Sequence, residues 1–239
     1  MILGMIKYHL LVLIREPANM FFGLALPFLN LFLISGNIEG EMGYLLDFGL
    51  PMFIIIAALV LCFTDSALSH AYSRQIKFLR KLRMTPVKPA TYVATGILSR
   101  LVVILLFVAT FLTFTTVFFG ATIGNRNWLV FGGIVILVFA MFYFISMFLA
   151  NVFKSAKTSQ NMLNIIFWGF LLLGNLFVPL EAMPDILQTI TQNTPTIFAA
   201  NLIQSAWFGS GVFTGHNFIV VLAVTAVFGL LSIKFFKYE

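Results

Sequence analysis

The sequence has little charge for its length. Only 9% of its 239 residues are charged, whereas 61% are hydrophobic and 29 are Phe. A water-soluble domain usually carries about 25% charged residues, so this composition excludes an ordinary soluble enzyme or binding domain. The apolar residues also come in runs close to the roughly 20 residues that cross a bilayer as a helix. The chain is therefore predicted to be an integral membrane protein.

Motifs for catalysis and cofactor binding are also missing. The sequence contains no G-x-x-x-x-G-K-[ST] phosphate-binding loop, no G-x-S-x-G nucleophile turn and no H-E-x-x-H zinc pair. Cys62 is the single cysteine, so no disulfide can form within the chain. The histidines, at positions 9, 70 and 216, lie at the ends of apolar runs rather than paired inside them. We expect this chain to have no enzymatic activity and to bind no metal or cofactor.

Six apolar runs are candidates for transmembrane helices. They lack the two-residue alternation of a β-barrel, and a helix satisfies its backbone hydrogen bonds within the segment. The predicted fold is an all-α polytopic membrane protein with a single transmembrane domain over residues 1–239. The predicted spans are 18–35, 49–69, 91–119, 128–150, 161–178 and 217–233.

The distribution of Lys and Arg predicts the orientation. If the N-terminus is cytoplasmic, 13 of the 14 basic residues lie on the cytoplasmic side and only Arg126 lies outside. Cytoplasmic loops typically carry such an excess of Lys and Arg. Both termini are therefore predicted to be cytoplasmic. The same placement explains the net charge of +6 without a nucleic acid partner.

Residues 1–16 form a separate segment. They are too short to span a bilayer, and they lack the basic start and cleavage site of a signal peptide. On a helix, Gly4, Lys7, Tyr8 and Arg15 share one side, which is typical of a helix that lies in the membrane interface. The alternative is an early extension of the first span.

Asp65 is the one acidic residue within or near a predicted span. Carboxylates in a bilayer are costly and are therefore functional candidates. Asp65 lies near the cytoplasmic end of its span, however, close to Arg74 and within reach of Arg100 on the next helix. The favoured interpretation is an ion pair between Asp65 and Arg100 at the interface. No second buried acid or base is predicted that could form a proton or ion relay.

The segment SRQIKFLRKLRMTP, residues 73–86, has five basic side chains and no acid. At about 100° per residue, four apolar side chains fall on one arc of a helix and most basic ones on the other side. The apolar arc holds Ile76, Phe78, Leu79 and Leu82, and the basic side holds Arg74, Lys77, Arg80 and Lys81, with Arg83 at one edge. Thr85-Pro86 should end the helix. The alternative to a cytoplasmic amphipathic helix is a basic loop that sets topology and contacts anionic lipid.

Residues 179–214, between the last two predicted spans, contain segments that begin at prolines. Pro184 and Pro195 suit first helical positions, and Asp185 complements a helix start. Two short exterior helices are therefore predicted near 184–192 and 195–208. Their expected apolar contacts with the outer leaflet are Ile186, Leu187, Ile190, Trp207 and Phe208. These helices would form either a lid over an exit path or a simple outer-leaflet attachment.

Together these motifs resemble the membrane subunits of type-2 ABC (ATP-binding cassette) exporters over nearly the whole chain. The matching stretches are REP at 15–17, LRMTPV at 82–87 and FVPLEAMPDILQTITQNTPT at 177–196. The last contains the family's succession of a proline, Met-Pro, a short helix and Asn-x-Pro, at Pro179, Met183, Pro184, Asn193 and Pro195. In one respect the sequence departs from the family, whose members often carry glycine and glutamate at the positions of Lys77 and Arg80.

The resemblance implies the permease subunit of an ATP-driven exporter, with residues 73–86 as the coupling helix that docks on an ATPase and residues 179–214 as an exterior gate. It implies a homodimer or heterodimer in a cell membrane, expected to be the prokaryotic plasma membrane. ATP and Mg would bind to separate nucleotide-binding subunits.

The apolar, Phe-rich spans suit an amphipathic or lipophilic cargo, such as a drug, an antimicrobial peptide or a lipid-linked compound. Export of a polysaccharide also stays open. The alternative function is an ATPase-independent secondary transporter or channel. An intramembrane enzyme is less favoured, because the sequence contains no catalytic motif.

Overall fold

The computed structural model describes most of the chain: residues 2–15, 21, 25, 28–29, 42–82, 84, 87–119, 127–153, 155–174, 176, 183–209, 211–213 and 215–236. Within these residues the protein is helical and contains no strand, which confirms the predicted all-α class. Most of the predicted first span, 18–35, lies outside the described residues.

The described helices follow the chain in a simple order. They are α1 (Ile2–Arg15), α2 (Met42–Leu59), α3 (Ala67–Gln75), α4 (Phe78–Leu82), α5 (Pro89–Phe119), α6 (Trp128–Val152), α7 (Ala156–Leu173), α8 (Asp185–Gln192), α9 (Pro195–Phe208) and α10 (His216–Lys234). A π-helical stretch, Val60–Ser66, joins α2 to α3 without interruption.

Within the described residues, four helical segments are long and apolar enough to cross a membrane: Gly49–Gln75, Pro89–Phe118, Trp128–Val152 and His216–Lys234. They correspond to the predicted second, third, fourth and sixth spans. The first of them continues past the predicted end at residue 69. The predicted fifth span falls largely on α7, an 18-residue helix that is not among the four because its first turns are polar.

The long segment formed by α2, the π-helical stretch and α3 lies at the centre of the bundle. From Phe53 to Phe63 every side chain is at most 1% exposed. Helix α10 packs mainly along α6, α1 along α5, and α9 against both α2 and α6. Phe28, in the predicted first span, contacts Phe53 of α2 and Phe114 of α5 with ring centroids 5.5 and 5.0 Å away.

The two short helices after α7 occur close to their predicted positions. Pro195 occupies the first turn of α9, whereas Pro184 immediately precedes α8. Trp207 differs from the prediction, because its side chain is only 1% exposed. It packs edge to face on Phe131, with ring centroids 5.3 Å apart, and so belongs to the core rather than to a membrane-facing surface.

Candidate functional site

The basic segment is not one continuous helix, contrary to the prediction. Helix α3 ends at Gln75, a turn follows, and α4 begins at Phe78. The break occurs because Lys77 has a φ of 58°, in the left-handed region that side chains with a Cβ rarely enter. Leu82 ends α4, but its side chain lies outside the described residues, as do Arg83, Thr85 and Pro86.

The backbone of Lys77 has a conformation that suits the glycine of the exporter pattern better than lysine. Glycine enters the left-handed region without the steric cost of a Cβ, and the resembling exporters often have glycine at this position. Lys77 therefore occupies a position whose conformation favours the family's residue. The turn itself, rather than the identity of its side chain, is the feature that the local fold requires.

Replacing Lys77 with Gly should raise the free energy of unfolding by up to about 1.5 kcal/mol. Relief of a left-handed Cβ is worth roughly 1–2 kcal/mol, and glycine's extra unfolded-state entropy offsets roughly 0.5–1 kcal/mol of it. Lys81→Gly, inside α4, is the matched control and should lower stability. Thermal unfolding of the purified variants measures both, and a lower stability for Lys77→Gly than for the parent would contradict the strain argument.

Only part of the predicted apolar arc packs inward. Leu79 has no exposed surface, and Phe78 stacks on Tyr8 of α1 with ring centroids 4.9 Å apart. Ile76, by contrast, is 51% exposed, and Met84, just beyond α4, is 81% exposed. Among the described side chains of this segment, the large apolar ones exposed to another protein are therefore Ile76 and Met84. They lie next to Lys77, Arg80 and Lys81, which are also exposed.

Arg74 points into the protein, whereas the helical pattern placed it on the basic outer side. Its side chain is 5% exposed, and its Nη2 donates to the Phe153 carbonyl oxygen after α6. One turn earlier on α3, His70 is fully buried and its Nε2 lies 3.0 Å from Asn151 Oδ1. Two side chains of α3 thus contact the end of α6.

Asp65 and Arg100 form an ion pair, as considered from the sequence, but in the interior of the protein. Asp65 lies in the π-helical stretch and Arg100 on α5. Arg100 Nε donates to Asp65 Oδ2 at 2.7 Å, and the two side chains are 2% and 1% exposed. Arg100 Nη1 also lies 3.4 Å from the Gly96 carbonyl oxygen. The pair joins the central segment to α5.

Tyr143 of α6 completes this polar interior. Its hydroxyl donates to the Val93 carbonyl oxygen at 3.2 Å. A Cβ at Gly96 would collide with that hydroxyl, so glycine at this position lets α5 and α6 approach. Polar side chains, among them Tyr143, His70 and Arg100, line a cavity of about 10 Å³. Since that is roughly the space of one water molecule, the cavity is not a cargo site.

His9 attaches α1 to the same region. Its ring packs against Tyr92 of α5, with centroids 5.0 Å apart. Burial lowers the pKa of His9 to about 3, and the nearby Arg100 guanidinium adds to the shift. His9 is therefore neutral at physiological pH, and it holds α1 on the bundle by aromatic packing rather than by charge.

The described residues of the predicted exterior gate make their hydrogen bonds within the segment that holds α8. Pro179 lies outside the described residues. Met183 is buried, and its Sδ accepts from Thr191 Oγ1 at 3.5 Å. Asn193 is exposed and donates from Nδ2 to the Thr189 carbonyl oxygen at 2.8 Å. With Pro184 and Pro195 at the helix starts, these residues shape α8 and its junction with α9.

Helix α7 carries polar side chains on an exposed face. Gln160, Asn161 and Asn164 are exposed in its first half, and Trp168 and Leu172 in its second. The sequence did not indicate His70, Tyr143 and Asn151 as contact residues, because their partners lie 50–81 positions away in the chain and leave no local signal.

Comparison with known proteins agrees with the resemblance. The chain matches the family model described as ABC-2 type transporter over residues 2–208. It is also 24% identical, over 159 residues, to "Putative transport permease YvfS" of Bacillus subtilis (strain 168). That alignment covers 63% of this chain and 61% of the relative, so the matched part spans about three fifths of the relative's length. Because the family model covers most of the chain, this protein is a multi-pass membrane protein of the ABC-2 type transporter family.

Proposed function

We propose that the chain is the permease subunit of an ATP-driven exporter, which dimerises and pairs with separate ATP-binding subunits. The family match over residues 2–208 carries this proposal. ATP and Mg would bind to the partner subunits, since this sequence has no phosphate-binding loop. A conformational change of the ATP-binding subunits would be transmitted to this chain through its cytoplasmic basic segment. It would open a path between two permease copies.

The exposed part of the basic segment suits docking on an ATPase. Ile76 and Met84 expose large apolar side chains beside Lys77 and Lys81, which are exposed cations. An interface with a small apolar centre and a charged rim is typical of protein contacts. The proposed docking residues are thus Ile76, Lys77, Arg80, Lys81 and Met84, whereas Leu79 of the predicted apolar arc is buried in this chain.

The exposed face of α7 suits the export path or the second permease copy. Amide side chains such as those of Asn161 and Asn164 are unfavourable in contact with lipid tails, so this face should meet water or protein. The polar first half is followed by exposed Ile165, Trp168 and Leu172. A wall that changes from polar to apolar supports an amphipathic or lipophilic cargo, such as a drug, an antimicrobial peptide or a lipid-linked compound.

The proposed topology has six spans, with residues 18–35 and α7 added to the four apolar helices. Both termini would be cytoplasmic, and α1 would lie in the interface of a prokaryotic plasma membrane. Impermeant thiol labelling of intact cells checks this orientation after Cys62 is replaced. A cysteine at Asp185 should be labelled and one at Lys157 should not, so the reverse pattern would overturn the orientation.

Helices α8 and α9 would lie on the exterior side, where they form either a lid or a lipid attachment. Ile186 and Ile190 of α8 are 77% and 46% exposed, which favours contact of α8 with the outer leaflet. Helix α9 is largely buried against α2 and α6, which suits a lid fixed to the bundle. Helix α8 would thus be the outer-leaflet attachment, and α9 would be the lid.

The proposed function predicts that the isolated chain hydrolyses no ATP and co-purifies with an ATP-binding subunit. In proteoliposomes that assembly should export cargo only when ATP is supplied. A Walker-A ATPase encoded by a neighbouring gene would identify the subunit to use. If the chain alone moved cargo down an ion gradient, the alternative of a secondary transporter or channel would replace this proposal.

A further inference from the structure

The junction between α6 and α7 is short and is contacted by α3. Phe153 has extended backbone angles, with φ −79° and ψ 140°, and Ser155 caps α7 by accepting from the Thr158 N–H at 3.0 Å. The Phe153 carbonyl oxygen therefore lies outside the α6 helix and needs a donor. Arg74 Nη2 supplies it, from a side chain that is only 5% exposed.

A second contact lies one turn earlier on α3. Asn151 Nδ2 donates to the Met147 carbonyl oxygen at 2.8 Å, which leaves its Oδ1 as an acceptor. The His70 Nε2 atom, 3.0 Å away, must therefore carry the proton and donate. Both side chains are fully buried. The hydrogen bond thus joins α3 to the last turn of α6 with defined donor and acceptor.

Together the two contacts hold α3 more firmly than either could alone. His70 and Arg74 are four residues apart on one face of α3, about 6 Å along the helix axis. Helix α3 also packs against both α6 and α7, and two hydrogen bonds at that spacing add two fixed points to this packing, which resist rotation of α3. On the other side, their partners Asn151 and Phe153 lead directly into α7.

We propose that Arg74 and His70 are positioning residues that transmit movement of the docking segment to α7. A displacement of α4 would pass through the Lys77 turn to α3, then through the two bonds to the α6–α7 junction and the exposed polar face of α7. This inference rests on the proposed function for its role in export. The mechanical link itself concerns only this chain and can be measured without a partner.

The link can be tested in the purified chain by distance measurement between spin labels. With Cys62 replaced by Ala, cysteines at Lys81 and Gln160 place labels on exposed positions of α4 and α7. The parent should give one narrow distance distribution. Arg74→Met and His70→Leu should broaden it, whereas the control Gln75→Met, at an exposed position of α3, should not. An unchanged distribution in both variants would overturn the proposal.

Export in the assembled complex gives the second readout. Arg74→Met and His70→Leu should lower cargo exported per ATP hydrolysed by about two- to thirtyfold. Arg74→Lys and His70→Gln should restore most of the ratio, because each keeps a donor near the same acceptor. A loss of stability with an unchanged ratio would show a merely structural role. If the parent complex exports nothing with ATP, the proposed function fails instead, while the spin-label result still decides whether the link exists.

Discussion

Replacing Arg100 with Met should lower the free energy of unfolding by about 3–5 kcal/mol. The substitution leaves Asp65, whose side chain is 1% exposed, as a carboxylate without its cation in the interior of a membrane protein. Asp65 lies in the π-helical stretch at the centre of the bundle, so it cannot reach solvent without unwinding the central segment. The physical cause of the loss is desolvation of the remaining charge.

The double variant Asp65→Leu, Arg100→Met separates this cause from lost packing. Replacing both partners of a buried pair by apolar residues is often neutral or stabilising, so the double variant should recover most of the stability. Arg100→Lys keeps the charge and should cost less than Arg100→Met. Unfolding in mixed micelles with increasing SDS measures all three variants. Equal stability of Arg100→Met and the parent would show that Asp65 is not a buried charge.

Replacing Leu79 with Asp should prevent folding of the end of the bundle that contains α4. Leu79 has no exposed surface and belongs to the hydrophobic core, and a buried polar or charged group without a partner costs several kcal/mol. The expected result is little monodisperse protein after purification. The effect precedes any contact with an ATPase, since the core of this chain has to form first.

Ile76→Asp is the matched comparison for Leu79→Asp. Ile76 is 51% exposed, so the charge stays in water and the variant should fold with nearly parental stability. Under the proposed function it should instead weaken binding of the ATP-binding subunit or lower export per ATP. Size-exclusion profiles and thermal unfolding separate the two outcomes. Normal folding of Leu79→Asp together with misfolding of Ile76→Asp would reverse the assignment of buried and exposed faces.

The basic segment shows where a helical pattern in the sequence no longer predicts which side chains are buried. The pattern placed Ile76, Leu79 and Arg74 by their angles on one uninterrupted helix. The left-handed backbone at Lys77 changes the register between residues before and after it. As a result, Ile76 turns outward, and Arg74 faces the α6–α7 junction. Leu79 stays on an apolar face, but that face meets the protein's own core.

Long-range pairs were predictable only where charge made them necessary. Asp65 required a cation because an isolated carboxylate in an apolar run is costly, and Arg100 was within reach. His70 with Asn151, and Tyr143 with Val93, carry no comparable signal, because a neutral polar group can be satisfied by a local carbonyl oxygen or by water. The prediction that Trp207 faces the membrane was wrong, because an aromatic side chain suits both a bilayer interface and a protein core.

The sequence by itself determined the class of the protein, because its composition and the length of its apolar runs are those of a chain that is solvated by a lipid bilayer. It also determined the family, through motifs spread along the whole chain. Only the tertiary structure decided which side of each helix is covered, since that depends on neighbours distant in sequence. It placed Leu79 and Trp207 in the core, left Ile76 and Met84 exposed, and joined α3 to the α6–α7 junction through Arg74 and His70.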